Sequence, residues 1–137
     1  MKTKITILIG LGIAVVAGGV TVSRLSPFAG KVLTPVEIQE KWGSQPFDSK
    51  KFSSEDLKMR ASMAHSIVAS KENYMGKTGD EIREIFGYAD GHYVNERFPS
   101  YVLEIGSKKS PETWQLVFMV DRDLKVNDVI VLSRRRK

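Results

Sequence analysis

The feature that most constrains this chain is an uncharged stretch close to its amino terminus. Residues 5–22 are 18 consecutive positions without a charged side chain, with Lys2 and Lys4 before them and Arg24 after them. A transmembrane helix needs about 20 apolar residues, whereas the apolar region of a cleavable signal peptide has about 7 to 15. The sequence therefore predicts a transmembrane anchor or signal segment over residues 1–25, and its length favours an uncleaved anchor.

The rest of the chain is long enough for one small domain. Pro27 and Gly30 interrupt any continuation of the first helix, so residues 26–33 are predicted to be a linker. Residues 34–133 then form the domain, and residues 134–137 form a basic tail. The chain contains no cysteine. This excludes a disulfide framework, a thiolate metal site and the acylated cysteine of a bacterial lipoprotein.

The formal charge of +5 is distributed unevenly along the chain. Basic residues flank the apolar stretch, and the tail consists of Arg134, Arg135, Arg136 and Lys137. The domain between them has a small acidic excess, so its body is not a basic nucleic-acid-binding surface. We expect the tail to contact the membrane, because a basic residue near anionic headgroups contributes about 1 kcal/mol.

The first half of the domain carries the signals of helices. Thr34, followed by proline and Glu37, predicts a helix that begins with a capping box. Residues 53–71 contain an apolar stripe at three- and four-residue spacing and predict the main helix. Thr78 and Glu81 predict a second capping box at the start of a further helix.

The second half of the domain changes to the pattern of strands. Residues 100–105, 113–120 and 126–133 are rich in β-branched and aromatic residues and are separated by turn signals. Helices followed by such a meander predict an α+β fold, with two to three helices packed on a three-stranded antiparallel sheet. The side chains expected to face the helices are those of Trp114, Leu116, Phe118 and Val120.

Residues 76–90, with the sequence GKTGDEIREIFGYAD, form a pattern of glycine, a capping threonine, an acidic and apolar helix, and a closing aspartate. This pattern, with the strands that follow it up to residue 133, resembles the BamE/SmpA family of small outer-membrane assembly proteins. The chain lacks the lipobox cysteine of that family and has Ala89 in place of its proline. The resemblance implies two helices on a three-stranded antiparallel sheet and a setting in the cell envelope.

The loop formed by Gly76, Lys77, Thr78 and Gly79 allows a second interpretation. Its spacing resembles the GXXG loop of a KH domain, which clamps the backbone of a nucleic acid. A KH domain also requires a strand before the first helix, and residues 44–52 do not predict one. A KH-like nucleic-acid-binding domain is therefore the alternative function.

Neither a catalytic site nor a metal site is predicted. His65 and His92 are the two histidines of the chain, and neither has a partner at a spacing typical of a metal site or a catalytic triad. Asp80, Glu81 and Glu84 lie at a helix start, where the helix dipole favours acidic residues. We therefore expect no enzyme activity, no cofactor, no small-molecule substrate and no nucleic acid.

The sequence thus favours a non-catalytic scaffold or protein-interaction module of the bacterial cell envelope. We expect a single pass through the inner membrane with the domain in the periplasm, or secretion to the periplasm if the segment is cleaved. The partner is expected to be an envelope protein. Its docking surface is expected on the face of the sheet away from the helices and to contain Arg97, Tyr101, Val117 and Met119.

Overall fold

A computed structural model describes residues 30–135 of the chain. The expected anchor or signal segment at residues 1–25 lies outside the described residues, as do Arg136 and Lys137. Within the described part, no helix is long and apolar enough to cross a membrane. That part has an α+β fold, which confirms the predicted fold class.

The strands form one antiparallel sheet with the order β1-β4-β3-β2. They are β1 (Val32–Leu33), β2 (Ser100–Glu104), β3 (Glu112–Val120) and β4 (Val126–Arg135). The prediction of a three-stranded sheet is wrong, because β1 adds a fourth strand. This strand lies in the expected linker at residues 26–33 and pairs with Leu132 and Val131 of β4.

Residues 32–33 form a strand because they pair with the edge of β4. The Gly30 N–H donates to the Ser133 carbonyl at 2.9 Å, and the Lys31 N–H donates to Ser133 Oγ at 2.9 Å. A Cβ on Gly30 would lie 2.7 Å from Ser133 Oγ, so glycine permits this close approach. Two strand residues are too few to show a period in the sequence, and their partner is about 100 residues away.

The helical layer is more divided than predicted. It contains α1 (Pro35–Trp42), α2 (Ser49–Phe52), α3 (Leu57–Ser62), α4 (Ala64–Ala69) and α5 (Gly79–Phe86). The expected main helix at residues 53–71 begins only at Leu57, because Asp56 rather than Ser53 caps it and accepts the Met59 N–H. It is interrupted at Met63, whose N–H donates to the carbonyl three residues earlier.

Both predicted capping boxes are confirmed. The Thr34 and Thr78 side chains accept the backbone N–H groups of Glu37 and Glu81, and each glutamate accepts the threonine N–H in return. These backbone N–H groups are the main reason why the pKa of each glutamate lies below its ordinary value. Their stabilisation is therefore present above the ordinary carboxyl pKa and is lost as the pH falls through the lowered pKa.

The core lies between the helices and one face of the sheet. Trp114, Leu116 and Phe118 belong to it as predicted, and Val120 packs against it from a partly buried position. Ile67 and Ile82 reach it from the helices. Its centre is a set of aromatic rings with centroids 4.8–6.0 Å apart, formed by Phe47, Phe52, Tyr74, Phe86, Tyr101 and Phe118.

The other face of the sheet is also covered. A loop between α5 and β2 brings Tyr93 and Phe98 over this face, with their ring centroids 5.6 Å apart in an edge-to-face arrangement. Beneath them lies a second apolar cluster that includes Val117, Ile130 and Leu132. The sheet is thus the middle layer of the domain and not an open docking platform.

Replacement of Phe118 with alanine is expected to lower the free energy of unfolding by about 3–5 kcal/mol. The side chain is fully buried and lies within ring-contact distance of Phe86, Tyr74 and Tyr101, so its removal leaves a cavity. Urea unfolding of the protein measures the change. The control Val36→Ala, at a 63% exposed position, should stay within about 0.5 kcal/mol. A loss below about 1 kcal/mol for Phe118→Ala would contradict the packing.

Candidate functional site

The expected docking surface of Arg97, Tyr101, Val117 and Met119 does not form one exposed patch. Tyr101 and Val117 are fully buried, Met119 is partly buried, and only Arg97 is exposed. Tyr101 is paired in register with Leu116, which faces the helices, whereas Val117 is the neighbour of Leu116 and points to the opposite face. The expected exposure of Tyr101 and Val117 is wrong, because Tyr101 packs into the core on the helical face and the loop with Tyr93 and Phe98 covers Val117.

Tyr101 has a structural role in place of the expected surface role. Its hydroxyl donates to the Gly87 carbonyl at 2.9 Å, and its ring packs against Phe52, Phe86 and Phe118. Burial raises the pKa of this phenol above its ordinary value. The side chain therefore stays neutral and ties the end of α5 to β2.

The expected membrane-contacting tail is described only in part. Arg134 is exposed near the end of β4 and is paired in register with Thr113. Arg135 is the last residue of the strand and is paired with Glu112. Arg136 and Lys137 lie outside the described residues.

The loop at residues 76–79 uses its backbone N–H groups within the domain. Gly76 donates to the Val126 carbonyl at 2.8 Å, Lys77 donates to the Tyr74 carbonyl at 3.1 Å, and Thr78 donates to Glu81 Oε1 at 3.0 Å. A KH-type clamp needs such groups for the nucleic-acid backbone. The loop precedes α5 in the chain, and its backbone is hydrogen-bonded to Val126 at the start of β4.

The two histidines do not come together with acidic residues. His65 is half-buried on α4, and His92 is exposed, with its backbone N–H bonded to Gln115 Oε1 at 2.7 Å. Among residues 30–135, no group of three or more histidine, aspartate or glutamate side chains is placed to hold a metal ion.

A different set of residues forms a defined site along the free edge of β2. Residues 87–92, which we call the edge segment, follow this strand after α5 ends. The Gly91 N–H donates to the Ser100 carbonyl at 2.8 Å, and the Asp90 carboxylate accepts the Val102 N–H at 3.1 Å. Side-chain and backbone groups of the edge segment thus take the place of a neighbouring strand.

Arg60 completes this edge from the helical side. Its side chain is only 6% exposed and forms an ion pair with Asp90 at 2.8 Å. The same guanidinium donates to the Val102 carbonyl at 3.1 Å and to the Phe52 carbonyl at 3.0 Å, and it lies 5.2 Å from the Phe52 ring centroid. The pair therefore satisfies both backbone groups of Val102 and connects α2, α3, β2 and the edge segment.

A similar ion pair lies on β4, outside the residues of this strand that pair with β1. The Asp128 carboxylate accepts the Val129 N–H at 2.8 Å and the Lys71 ammonium at 3.1 Å. Exposed strand edges invite pairing with other chains, and charged side chains at an edge oppose it. Charged side chains therefore lie along the free edge of β2 and on the part of β4 that does not pair with β1.

A cleft of about 310 Å³ opens beside the Arg60–Asp90 pair. We call it the Tyr88 cleft, because Tyr88 of the edge segment forms part of its wall and is 87% exposed. Its remaining lining residues are Ser53, Ser54, Glu55, Leu57, Arg60 and Asp90.

The Tyr88 cleft offers an aromatic ring, an aliphatic side chain and two carboxylates. Arg60 is committed to Asp90 and to three carbonyl oxygens, whereas Glu55 is exposed and Asp90 keeps about a third of its side chain accessible. The accessible charge of the cleft is therefore negative. Chemically, it can hold an apolar side chain that lies next to a cationic or hydrogen-bond-donating group.

The sequence contained a partial signal for this site. Tyr88 directly follows Gly87, the glycine that ends a capped helix, and Asp90 comes two residues later, so both lie in a loop, where binding residues are common. Arg60 gave no signal, because an arginine inside a helical pattern is usually solvated. Its burial depends on carbonyl groups from Phe52 and Val102, which are brought together only by folding.

No family model, curated protein or solved structure matches the chain. A relationship of residues 75–133 to the BamE/SmpA family thus stays a hypothesis, carried by the pattern at residues 76–90.

Replacement of Arg60 with methionine is expected to lower the free energy of unfolding by about 2–3 kcal/mol. The variant keeps the length of the side chain but leaves Asp90, Val102 and Phe52 without their donor. Chemical unfolding followed by circular dichroism measures the loss. Lys58→Met on the same helix is the control, because Lys58 is exposed, and its effect should stay within about 0.5 kcal/mol. Equal effects of the two substitutions would contradict the bridging role of Arg60.

Proposed function

We propose that this chain is a non-catalytic interaction module of the bacterial cell envelope, tethered to the membrane by residues 5–22. In this proposal, the Tyr88 cleft binds a segment of an envelope protein. The observation that carries the proposal is Tyr88 itself, an aromatic side chain that is 87% exposed on a backbone segment held at both ends.

The exposure of Tyr88 matters because aromatic side chains stabilise a fold mainly when they are buried. Tyrosine is enriched among the residues that dominate protein–protein interfaces, where its truncation often costs about 2 kcal/mol or more. The other aromatic side chains of the described residues contribute to the two apolar clusters. Tyr88 therefore has its apolar area available for a partner.

The backbone of Tyr88 is also ordered in advance of binding. The Gly87 carbonyl accepts the Tyr101 hydroxyl, Asp90 is fixed by Arg60, and the Gly91 N–H is bonded to β2. A site that is already ordered loses less conformational entropy on binding. This favours recognition of a specific partner by a modest surface.

The charges of the cleft favour a particular class of partner. Glu55 and Asp90 are its accessible charges, and burial of a cation beside them is favourable if the geometry allows hydrogen bonds. We propose a partner segment in which an apolar side chain, packed against Tyr88 and Leu57, is adjacent to a lysine or arginine.

The tether and the envelope setting have independent support. The length of the apolar stretch favours a membrane-spanning anchor, and the resemblance to the BamE/SmpA family over residues 76–90 implies an envelope protein. In the structure, residues 76–90 form the loop at residues 76–79, α5 and the first part of the edge segment. The residues that support an envelope setting therefore include the proposed docking residue Tyr88.

The tether is tested by intact-mass measurement of protein extracted from membranes, together with an alkaline phosphatase fused to the carboxyl terminus. We expect the full mass, including residues 1–25, and an active phosphatase, because the domain is proposed to lie outside the cytoplasm. A mature terminus between residues 18 and 31 would contradict the anchor. An inactive phosphatase in a stable fusion would contradict the periplasmic orientation.

The cleft is tested with a photo-crosslinking amino acid placed at Tyr88 in cells. We expect position 88 to crosslink one envelope protein, whereas position 124, where Leu124 is 46% exposed at another part of the surface, should not. With that protein purified, Tyr88→Ala should weaken the affinity about 30-fold, which corresponds to about 2 kcal/mol. Glu55→Lys should also weaken it, through repulsion of the cationic partner.

The matched control for the affinity measurement is Leu124→Ala, which should stay within about twofold. Unchanged binding by both Tyr88→Ala and Glu55→Lys, with the fold intact by circular dichroism, would contradict the assignment of the Tyr88 cleft.

A further inference from the structure

One end of the sheet lies where the described chain begins. Gly30 is bonded to Ser133 near the end of β4, and β1 runs antiparallel to β4 from this point. Residues 5–22 end eight positions before Gly30 in the sequence. Eight extended residues span at most about 28 Å, so a membrane anchor at residues 5–22 keeps this end of the sheet near the bilayer.

The same end of the sheet carries basic side chains from three parts of the chain. The hairpin between β2 and β3, at residues 105–111, lies there because β2 ends and β3 begins at this end. We call the resulting surface the basic end. It consists of Lys31, Lys108, Lys109 and Arg134, together with Ile105, whose side chain is 62% exposed.

Part of this basic charge is not neutralised by the domain itself. Lys31 is paired with Glu37 at 3.2 Å. Within residues 30–135, Lys108, Lys109 and Arg134 form no ion pair. Arg136 and Lys137 follow Arg134 and Arg135 in the sequence. The basic end therefore offers several cations to an external anionic surface.

The hairpin presents its lysines from an ordered loop. The Gly106 N–H donates to Thr113 Oγ1 at 2.9 Å, and the Ser107 N–H donates to the Ser110 carbonyl at 2.7 Å. The Ser110 N–H donates to Ser107 Oγ at 3.2 Å. Lys108 and Lys109 are thus at the tip of a closed loop, close in sequence to the exposed apolar side chain of Ile105.

The opposite end of the sheet has a different charge pattern. Its turn between β3 and β4, at residues 121–125, contains Asp121, Arg122, Asp123 and Lys125, whose formal charges cancel. Asp121 is occupied by the backbone N–H groups of Asp123 and Lys125. This turn has no net formal charge, whereas the four basic residues of the basic end outnumber Glu104 and Glu112, the acidic residues at the adjoining strand ends.

We propose that the basic end faces the bilayer and binds anionic phospholipid headgroups, with Ile105 at the headgroup boundary. The inference rests on the tether of the proposed function and adds the orientation of the domain. Basic residues close to an anionic leaflet attract it additively, and an apolar side chain beside them adds contact with the interface. None of the residues that line the Tyr88 cleft belongs to the basic end.

The test uses the full-length chain, and its lack of cysteine makes single-site labelling direct. The protein is first floated with vesicles of phosphatidylcholine, with and without phosphatidylglycerol. It is then reconstituted in nanodiscs of both compositions after labelling at Ser110→Cys in the hairpin or at Asp123→Cys in the opposite turn. Quenching of the label by headgroup nitroxides reports its proximity to the bilayer.

We expect the label at position 110 to be quenched at least about threefold more than the label at position 123 in phosphatidylglycerol nanodiscs. The difference should shrink in phosphatidylcholine and at high salt, because the attraction is electrostatic. The double variant Lys108→Glu, Lys109→Glu should remove the difference in quenching between positions 110 and 123. The control, Arg122→Glu with Lys125→Glu, changes the net charge equally and should leave it intact. Thermal unfolding confirms that both double variants are folded.

The outcomes separate this inference from the tether. Flotation with both lipids, but equal quenching at positions 110 and 123, overturns the basic end and leaves the tether intact. Flotation only with phosphatidylglycerol supports the lipid-binding surface and overturns the tether. Absence of flotation with either lipid overturns both. Equal loss of quenching in the two double variants overturns the role of Lys108 and Lys109, because it would reflect net charge alone.

Discussion

The ion pair between Arg60 and Asp90 is the interaction on which the arrangement of the domain depends most. It joins the helical layer to β2 and fixes the edge segment that carries Tyr88. A buried guanidinium is unfavourable unless it is paired and hydrogen-bonded, and each of the three nitrogen atoms of Arg60 has a partner among a carboxylate and three carbonyl groups. Stability and the shape of the candidate site therefore depend on the same contacts.

The closure of the sheet determines where this protein can interact. One face is covered by helices, the other by the loop with Tyr93 and Phe98, and ion-paired carboxylates accept the backbone N–H of Val102 at the free edge of β2 and of Val129 on β4. Strand addition and docking on an open sheet are therefore disfavoured. What is left for partners is a protruding aromatic residue at one edge and the charged loops at the ends of the strands.

Local signals in the sequence were reliable at the two capping boxes and in β3, but not at Ser53, because Asp56 caps the following helix instead. The capping boxes at Thr34 and Thr78 formed because a threonine and a glutamate three positions later satisfy each other's backbone groups. The alternation in β3 correctly placed Phe118 in the core. The expected exposure of Val117 was wrong, because that side chain is buried by a loop more than 15 residues away in sequence.

The sequence by itself thus determined the α+β class, the capped helix ends and the core face of β3, since these depend on short-range periodicity and hydrogen bonding. Only the tertiary structure decided the fourth strand, the covered outer face, the buried Arg60 and the exposed Tyr88. The fourth strand and the buried Arg60 require backbone groups from distant segments, namely Ser133 for Gly30 and Val102 for Arg60, and the covered outer face requires Tyr93 and Phe98. No local pattern encodes such pairings, because the partner is selected by the shape of the folded chain.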